Sequence, residues 1–468
     1  PVAIRDFLLY AYENWQTPAP QYVLLVGDST YDYKDNYNRG TVNHVPAYTI
    51  FTDYMGETVT DEYFVTISGD DALVDMYIGR LPANSAADAA AMVNKIIAYE
   101  TGLNSSSWEK NIVLVADDQT EAYEAVFETI NEDAAALLPS KMVPLKGYLG
   151  DYLLAGDLST DLTNWINDGA LIVNYSGHAS LQQWASESVF VNADVNSLSN
   201  TAKYPFVISM SCLTGYFGYL DAALGPQPSL AEALLQPADK GAVAAFMPTG
   251  MTTTAGQQIL NNAVFESIFI NDVRQLGPAI ASAKQTLLAN GDAYFEQISA
   301  TFLLFGDPAQ TLKVPLPRMP DGVEAHWEGN SVRIRWNAAL DSNGNAVAGY
   351  NIYRASSPAG PYSKVNSELV TGTEFVDTEN LGIEESGETG GSYYGVTAVD
   401  SFGDESAQSL GISPASIASA SESVAPVACF VGTVSGSIPA GLFWVLAIFT
   451  IGVVIAHWRS RNLRDFTS

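Results

Sequence analysis

The fold of this chain is decided by the stretch Ala170-Leu-Ile-Val-Asn-Tyr-Ser-Gly-His178, in which apolar and β-branched residues close on small polar ones. The run Pro205-Phe-Val-Ile-Ser-Met-Ser-Cys212 has the same character. Both are typical of central parallel strands at the point where they leave the sheet. A sheet of this kind holds reactive groups outside the carboxyl ends of its strands. The pattern therefore predicts an imidazole and a thiol side by side, from His178 and Cys212.

Strands and helices alternate around these two runs. Further strands are predicted near 22–26, 111–116, 142–148 and 241–247, and helices near 85–100, 121–138, 257–270 and 277–289. This alternation indicates a mostly parallel, layered α/β fold. A turn-rich joint at 101–107 divides it into a first subdomain, residues 1–105, and a catalytic subdomain, residues 106–315.

The composition argues against several classes of partner. The 468 residues include 21 Lys and Arg against 52 Asp and Glu, which gives a net charge of −31. A chain this acidic is not expected to bind nucleic acid or an anionic membrane surface. Its two cysteines, Cys212 and Cys429, provide no disulfide framework. Stability is therefore expected from core burial, for which 47% hydrophobic residues suffice.

A cysteine beside a histidine is typical of a nucleophile with its base. A thiol is only slightly ionised at neutral pH, and an imidazole can take its proton or stabilise the thiolate. Small residues around both groups, such as Gly177 and Gly215, let a peptide approach and leave backbone N–H groups to bind an oxyanion. The alternative is a buried cysteine and a turn histidine without chemistry. Because both residues end a strand among small neighbours, we favour the catalytic interpretation.

Five segments resemble, in order, the gingipain (C25) family of caspase-like cysteine peptidases, over roughly residues 1–315. They are Tyr22-Val-Leu-Leu-Val-Gly-Asp28, Tyr77-Ile-Gly-Arg80-Leu-Pro82, Asn174-Tyr-Ser-Gly-His178, Ala231-Glu-Ala-Leu-Leu235 and Phe305-Gly-Asp-Pro308. The resemblance implies a caspase-like three-layer α/β fold in which Cys212 attacks, His178 is the base and an acyl-enzyme forms. It also implies backbone oxyanion donors at Cys212 and at Ala179, where the family usually has glycine. A signal peptide, a propeptide and a first strand and helix are expected ahead of Pro1.

The resemblance implies a third catalytic acid just after the strand at 111–116, and Asp118 is similar to it by position. The alternative is that Asp117-Asp118 caps the helix that follows. Members of the family that cleave after Arg or Lys use a pocket acid slightly further on, for which Glu121 or Glu124 is a candidate, and solvated helix glutamates are the alternative. The wall of the substrate pocket is assigned to one further segment, whose residues are Thr249, Gly250 and Met251.

Acidic residues crowd the loops of the first subdomain near glycines. The candidate ligands of a structural calcium ion are Asp28, Asp61, Asp70 and Asp75, with Asp32 nearby. Their spacing is not that of an EF-hand, so solvated loop acids are the alternative. No cofactor is expected to be required for the reaction.

The remaining third of the chain changes character. A stiff Pro-rich linker at 315–320 leads into alternating short strands at 321–412, which resemble a fibronectin type III-like β-sandwich. A small-residue stalk is expected at 413–437 and an uncharged transmembrane helix at 438–458, long enough for a hydrocarbon core of about 30 Å. A basic cytoplasmic tail is expected at 459–468. The tail resembles bacterial envelope sorting tails, by which Cys429 is either a processing or lipid-attachment site or an inert thiol.

Together these features predict an extracytoplasmic cysteine endopeptidase of a bacterial cell envelope, acting on proteins or peptides. The C-terminal helix is expected to anchor it, with processing and release as a variant. One alternative is a surface transpeptidase with the same site, which passes the acyl group to an amine. Another is a non-catalytic envelope adhesin with a degenerate peptidase domain.

Overall fold

The structure, a computed structural model, describes residues 1–69, 71–102, 107–329, 331–378, 392–414, 443–449 and 452–458. These residues belong to two compact units. The first contains Pro1–Val314 together with the two C-terminal segments, and the second begins at Pro315.

The first unit alternates strands and helices along the chain. Its strands are β1 (Tyr22–Val26), β2 (Tyr48–Thr52), β3 (Gly56–Thr60), β4 (Tyr77–Leu81), β5 (Asn111–Ala116), β6 (Val143–Tyr148), β7 (Ile172–Ser176), β8 (Ala179–Ser180), β9 (Gln183–Trp184), β10 (Phe190–Val191), β11 (Phe206–Met210), β12 (Leu220–Asp221), β13 (Gly225–Pro226), β14 (Ala244–Pro248) and β15 (Phe302–Phe305). Its α-helices are α1 (Val2–Asn14), α2 (Ala86–Thr101), α3 (Val126–Ala136), α4 (Ala155–Asp168), α5 (Leu230–Leu235), α6 (Thr254–Phe269), α7 (Leu276–Leu288) and α8 (Ala293–Thr301). Short 3₁₀ helices lie at Glu62–Phe64, Ser107–Lys110, Ala122–Ala125, Leu149–Asp151 and Asp194–Ser197.

One large sheet runs through this unit in the order β6-β5-β7-β11-β14-β15-β4-β1. The strands from β6 to β14 are parallel to their neighbours, as are β15, β4 and β1, and the direction reverses where β14 meets β15. Every residue of β7, β11, β14 and β15 is buried, as expected of strands covered on both faces. The predicted, mostly parallel α/β fold is thereby confirmed. The subdomain boundary near residue 105 stays a prediction, since the sheet continues across it.

The second unit is built from short antiparallel strands. They are β16 (Glu324–Glu328), β17 (Ser331–Arg335), β18 (Gly349–Ala355), β19 (Ser363–Lys364), β20 (Glu374–Asp377) and β21 (Tyr393–Val399). They form two three-stranded sheets, β16-β17-β20 and β19-β18-β21. One hydrophobic core takes residues from both sheets, among them Ile334, Ile352 and Val396. The two sheets thus share one core, and the assignment to a fibronectin type III-like sandwich stays a prediction.

The C-terminal apolar segment differs from the prediction. Residues expected to form a transmembrane helix at 438–458 instead include two strands, β22 (Phe443–Phe449) and β23 (Gly452–Trp458), which pair antiparallel with each other. β23 also pairs antiparallel with β1. Each strand is an apolar run of 7 residues rich in β-branched or aromatic residues, and a run of this length fits a strand as well as a helix, so hydropathy alone did not separate the two. No helix among the described residues is long and apolar enough to cross a membrane. Cys429, most of the stalk at 413–437 and the tail at 459–468 lie outside the described residues.

A buried ion pair joins the strand ends of the first unit. Arg80, at the end of β4, is fully buried and makes a bidentate contact with Asp61, Nε to Oδ2 at 2.7 Å and Nη2 to Oδ1 at 2.6 Å. Its Nη1 donates to the carbonyl oxygens of Gly27 and Val45, at 2.6 and 2.9 Å. The guanidinium therefore ties the segments after β1 and before β2 to the sheet.

Removing this cation should destabilise the first unit strongly. We expect Arg80→Met to lower the free energy of unfolding by about 3–5 kcal/mol, because Asp61 is left as an uncompensated buried charge. The measurement is the urea dependence of unfolding. The matched control is Lys146→Met, which removes a half-exposed cation from Glu132 and should cost no more than about 1 kcal/mol. Equal losses in the two variants would contradict the role assigned to Arg80.

Candidate active site

The sheet register aligns three chain segments that leave neighbouring strands. Met210 of β11 lies beside Ser176 of β7, which lies beside Ala116 of β5. Cys212 and His178 each follow two residues after these positions. The structure thus brings the predicted thiol and imidazole to the same level at the carboxyl edge of the sheet, where parallel sheets hold reactive groups.

The backbone of His178 is held by hydrogen bonds at both its N–H and its carbonyl group. Its N–H donates to Asp117 Oδ2 at 2.9 Å, and its carbonyl accepts from the Tyr175 hydroxyl at 2.5 Å. Gly177 has φ +159°, and a Cβ there would lie 2.4 Å from the Cβ of Asp117. A residue with a side chain does not fit, which explains glycine before the histidine. Burial raises the pKa of Asp117 to about 6.

The imidazole ring of His178 is held by a carboxylate. Its Nε2 lies 2.8 Å from Glu124 Oε1, and the Phe127 ring meets it edge-on at 5.3 Å. Since an ionised carboxylate only accepts hydrogen bonds, Nε2 is the donor, and in the neutral imidazole Nδ1 then keeps its lone pair. The ring itself is 55% exposed. Nδ1 is therefore the atom that can take a proton from a thiol.

Glu124 is a buried, ionised anchor. Its Oε2 accepts from the Glu121 N–H at 2.6 Å and from the Thr120 hydroxyl at 2.8 Å, while Oε1 meets His178. Its residue is only 2% exposed. The hydrogen bond from the Glu121 backbone, followed by that from His178, lowers the pKa of Glu124 to about 2. The carboxylate therefore stays charged at any pH at which the protein would work.

Cys212 lies on a strained turn. The next residue, Leu213, has φ +62°, a left-handed conformation that a non-glycine residue adopts at a cost. The Leu213 N–H donates to the Gly250 carbonyl at 3.1 Å, and the Cys212 thiol lies 3.8 Å from the Thr252 carbonyl oxygen. Within the described part of the chain the Cys212 N–H meets no acceptor. A free N–H beside the nucleophile is what an oxyanion donor requires.

Buried hydroxyls support this turn from below. Trp184 Nε1 donates to Ser209 Oγ at 2.9 Å, and Ser209 Oγ and Ser211 Oγ lie 2.8 Å apart. From the other side, Gln257 Nε2 donates to the Ser211 carbonyl at 3.0 Å. The residue before the nucleophile is thus fixed by both its side chain and its carbonyl.

The structure gives the imidazole a different acid from the one predicted. Among the described residues Asp118 makes no hydrogen bond to His178, and its N–H donates to Asp117 Oδ1 at 3.0 Å. The imidazole contacts Glu124 instead, because the 3₁₀ helix Ala122–Ala125 carries that side chain back over the strand end. Glu121, a candidate pocket acid, is exposed and begins this 3₁₀ helix, and its role in the pocket stays a prediction beside the alternative of a solvated glutamate. The spacing of the capping box, a glutamate three residues after the cap, was the available signal for Glu124.

The predicted pocket wall lies beside the nucleophile. Thr249 is buried and its hydroxyl donates to the Val59 carbonyl at 2.7 Å. Gly250 accepts from Leu213, and Met251 follows with 44% of its surface exposed. Of the three, only Met251 presents a large side chain to solvent.

Three of the predicted calcium ligands lie among the described residues, and Asp28, Asp61 and Asp75 do not form one cluster there. Asp61 is paired with Arg80, and Asp75 Oδ2 accepts the N–H groups of Ile67 and Ser68, both at 2.8 Å. Asp28 is buried, and burial raises its pKa to about 6. Asp70 lies outside the described residues. One oxygen each of Asp117, Asp118 and Glu187 lies within 4.8 Å of the others. Calcium binding stays a prediction, without the ligand set first expected.

Sequence comparisons point to one family. The sequence pattern of Peptidase family C25 matches residues 1–313. Gingipain R1 of Porphyromonas gingivalis is 25% identical over 356 residues, 73% of this chain and 33% of that protein. Gingipain R2 of the same organism is 25% identical over 357 residues, 72% of this chain and 44% of that protein. The chain thus spans less than half the length of these curated relatives.

Solved structures show the same fold. The Arg specific cysteine proteinase gingipain R superposes with a TM-score of 0.53 at 20% identity, covering 89% of this chain and 87% of the other. The complex of Porphyromonas gingivalis RgpB pro- and mature domains gives 0.54 at 19% identity, covering 89% and 90%. The superpositions support the caspase-like α/β fold, while the matched residues 1–313 include both strand ends that carry His178 and Cys212. By this match the chain belongs to peptidase family C25.

Proposed function

We propose that this chain is a cysteine endopeptidase that hydrolyses peptide bonds through an acyl-enzyme. The observation that carries the proposal is the hydrogen bond from His178 Nε2 to the buried Glu124 carboxylate, which leaves Nδ1 as a base at the level of the Cys212 turn. A base oriented by a third group next to a nucleophile is the arrangement that acyl transfer needs.

The reaction begins with transfer of the Cys212 thiol proton to His178 Nδ1. The thiolate then attacks the carbonyl carbon of the scissile bond, and the oxyanion forms beside the free N–H of Cys212, with the N–H of Ala179 as second donor. His178 returns its proton to the leaving amine, so the C–N bond breaks and a thioester remains. Water, deprotonated by the same imidazole, attacks the thioester and releases a free carboxylate and the thiol.

A basic residue before the scissile bond does not follow from family membership alone. The solved relative is an Arg specific proteinase, and recognition of Arg calls for a carboxylate in the pocket. Here Glu124 is engaged by His178, and Glu121 is an exposed residue at the start of a 3₁₀ helix.

The proposed site of action is outside the cytoplasm, in a bacterial cell envelope. Digestion of the peptidase domain by a protease added to intact cells would test this location.

Product analysis separates this function from its two rivals. We expect the purified chain to cleave an internally quenched peptide library in the presence of reductant, giving products that end in a free carboxylate. An added amine such as glycinamide should leave these masses essentially unchanged. Amide products in place of acids would identify a transpeptidase. An adhesin with a degenerate site would neither cleave nor show faster alkylation of Cys212 by iodoacetamide than a model thiol at pH 6.

A further inference from the structure

Two tyrosine rings meet close to the nucleophile, one from the β2–β3 hairpin and one from α8. The rings of Tyr54, at the hairpin tip, and Tyr294, in the first turn of α8, lie 4.9 Å apart at 74°. The neighbouring residues latch the two elements together: the Asp53 N–H donates to Gln297 Oε1 at 2.8 Å, and Gln297 Nε2 donates to Asp53 Oδ2 at 2.9 Å. Two hydrogen bonds between the hairpin and α8 therefore hold the ring pair in place.

The pair lies beside Cys212 through the segment that follows β14. The Tyr294 hydroxyl donates to the Met251 carbonyl at 3.2 Å, and the next carbonyl, that of Thr252, lies 3.8 Å from the Cys212 sulfur. Burial raises the pKa of Tyr294, and the nearby Tyr54 and Cys212 raise it further. The phenol thus bonds to the residue that precedes the thiol's own backbone contact.

Large apolar side chains are left in solvent at this place. Tyr54 is 58% exposed and Met251 is 44% exposed. Neither the hairpin nor α8 covers these two side chains, so contacts within the fold do not explain why large side chains are placed here. Aromatic rings with a thioether are a favourable surface for apolar side chains, and methionine adapts its shape to what it contacts.

We propose that Tyr54, Met251 and Tyr294 form an apolar subsite for an aromatic or large aliphatic residue of the substrate, next to the scissile bond. The inference rests on the proposed peptidase function and deepens it. Two polar groups beside the rings already have partners: the Tyr294 hydroxyl donates to Met251, and Asp53 Oδ2 accepts from Gln297. The two rings and the thioether therefore offer apolar contact area to a substrate side chain.

The test compares cleavage of matched peptides that differ at one position. Peptides carrying Phe, Leu, Ala or Arg, scanned over the two positions on each side of the scissile bond, are cleaved by the wild type, Tyr54→Ala and Tyr294→Ala. At one position we expect kcat/KM for Phe to exceed that for Ala by about tenfold or more, in line with partial burial of an aromatic side chain. Both variants should lose most of this ratio while still cleaving the Ala peptide.

Two controls separate binding from support of the fold. Tyr10→Ala removes an equally exposed tyrosine, 59% exposed on α1, and should leave all ratios unchanged. Tyr294→Phe keeps the ring and removes the bond to Met251, so it should retain the preference for Phe. An equal loss for all peptides in Tyr294→Ala would mean that Tyr294 only positions the Met251 segment, and would overturn the subsite. A wild-type preference for Arg at that position would overturn it as well. If the wild type cleaved no peptide, the peptidase function itself would fail, a result distinct from either.

Discussion

Alanine at Cys212 or at His178 is expected to lower kcat by about 10⁴-fold or more, the scale on which loss of a nucleophile or its base acts. The two residues work as one unit, because the thiol is a poor nucleophile until the imidazole takes its proton. The double variant should therefore be no slower than either single variant. Steady-state cleavage of a quenched peptide, with activity per mole of folded protein, measures the effect.

The prediction requires that the variants lose activity through the missing catalytic group and not through unfolding. The His178 ring is 55% exposed and Cys212 lies partly exposed on its turn, so neither truncation should empty the core. We expect melting temperatures within a few degrees of wild type, since surface changes typically cost about 0.5 kcal/mol or less. His326→Ala, which removes another half-exposed histidine in the second unit, should keep full activity. If either active-site variant kept more than about a hundredth of the wild-type kcat, the assignment would be wrong.

The strand ends were predictable because their signal is local and strong. The two apolar runs before His178 and Cys212 are short, rich in β-branched residues and bounded by small polar ones, which is typical of central strands, and parallel strands align their carboxyl ends. The structure keeps both residues two positions beyond paired strand residues. The short strands of the second unit were likewise visible in the alternation of the sequence. These features depend on patterns of a few neighbouring residues.

The parts that failed depend on contacts distant in sequence. Glu124 and Asp118 are equally acidic, and the sequence does not reveal that a 3₁₀ turn brings the later one to the imidazole. Helix α8 was not among the predicted elements, yet it places Tyr294 beside the nucleophile segment. Asp61 was predicted to be a calcium ligand, whereas in the structure it forms an ion pair with Arg80. In each case a side chain's partner, which composition and periodicity do not encode, decides its role.

The second large effect is expected when Glu124, the acid that contacts the imidazole, is replaced. Glu124→Gln should lower kcat by about 10²- to 10⁴-fold with little change in KM, because it acts on the imidazole and not on bound substrate. Glutamine keeps the size of the side chain but can donate its amide N–H to Nε2. The imidazole proton would then sit on Nδ1, so the atom facing the thiol would no longer accept a proton. A wrong tautomer in a comparable triad costs about 10⁴-fold.

Asp118→Asn is the matched control, since it also neutralises one carboxylate in the same segment but leaves the His178 ring contact intact. It should keep kcat within about twofold of wild type, because it touches neither reacting group. A merely structural role of Glu124 is tested by the rate at which iodoacetamide alkylates Cys212 at pH 6 to 8. That rate should fall in Glu124→Gln and stay unchanged in Asp118→Asn, because thiolate formation depends on the base.

The pH dependence gives an independent check on the same carboxylate. The pKa of Glu124 is lowered to about 2, so its ionised form, which holds the imidazole, is present above that value and is lost only as the pH falls through it. Any loss of wild-type activity between pH 7 and pH 4 must therefore come from a group other than Glu124, and the pH profile of kcat measures it. If Asp118→Asn, and not Glu124→Gln, abolished activity and slowed alkylation, the third member of the site would have to be reassigned to the strand end and away from the 3₁₀ helix.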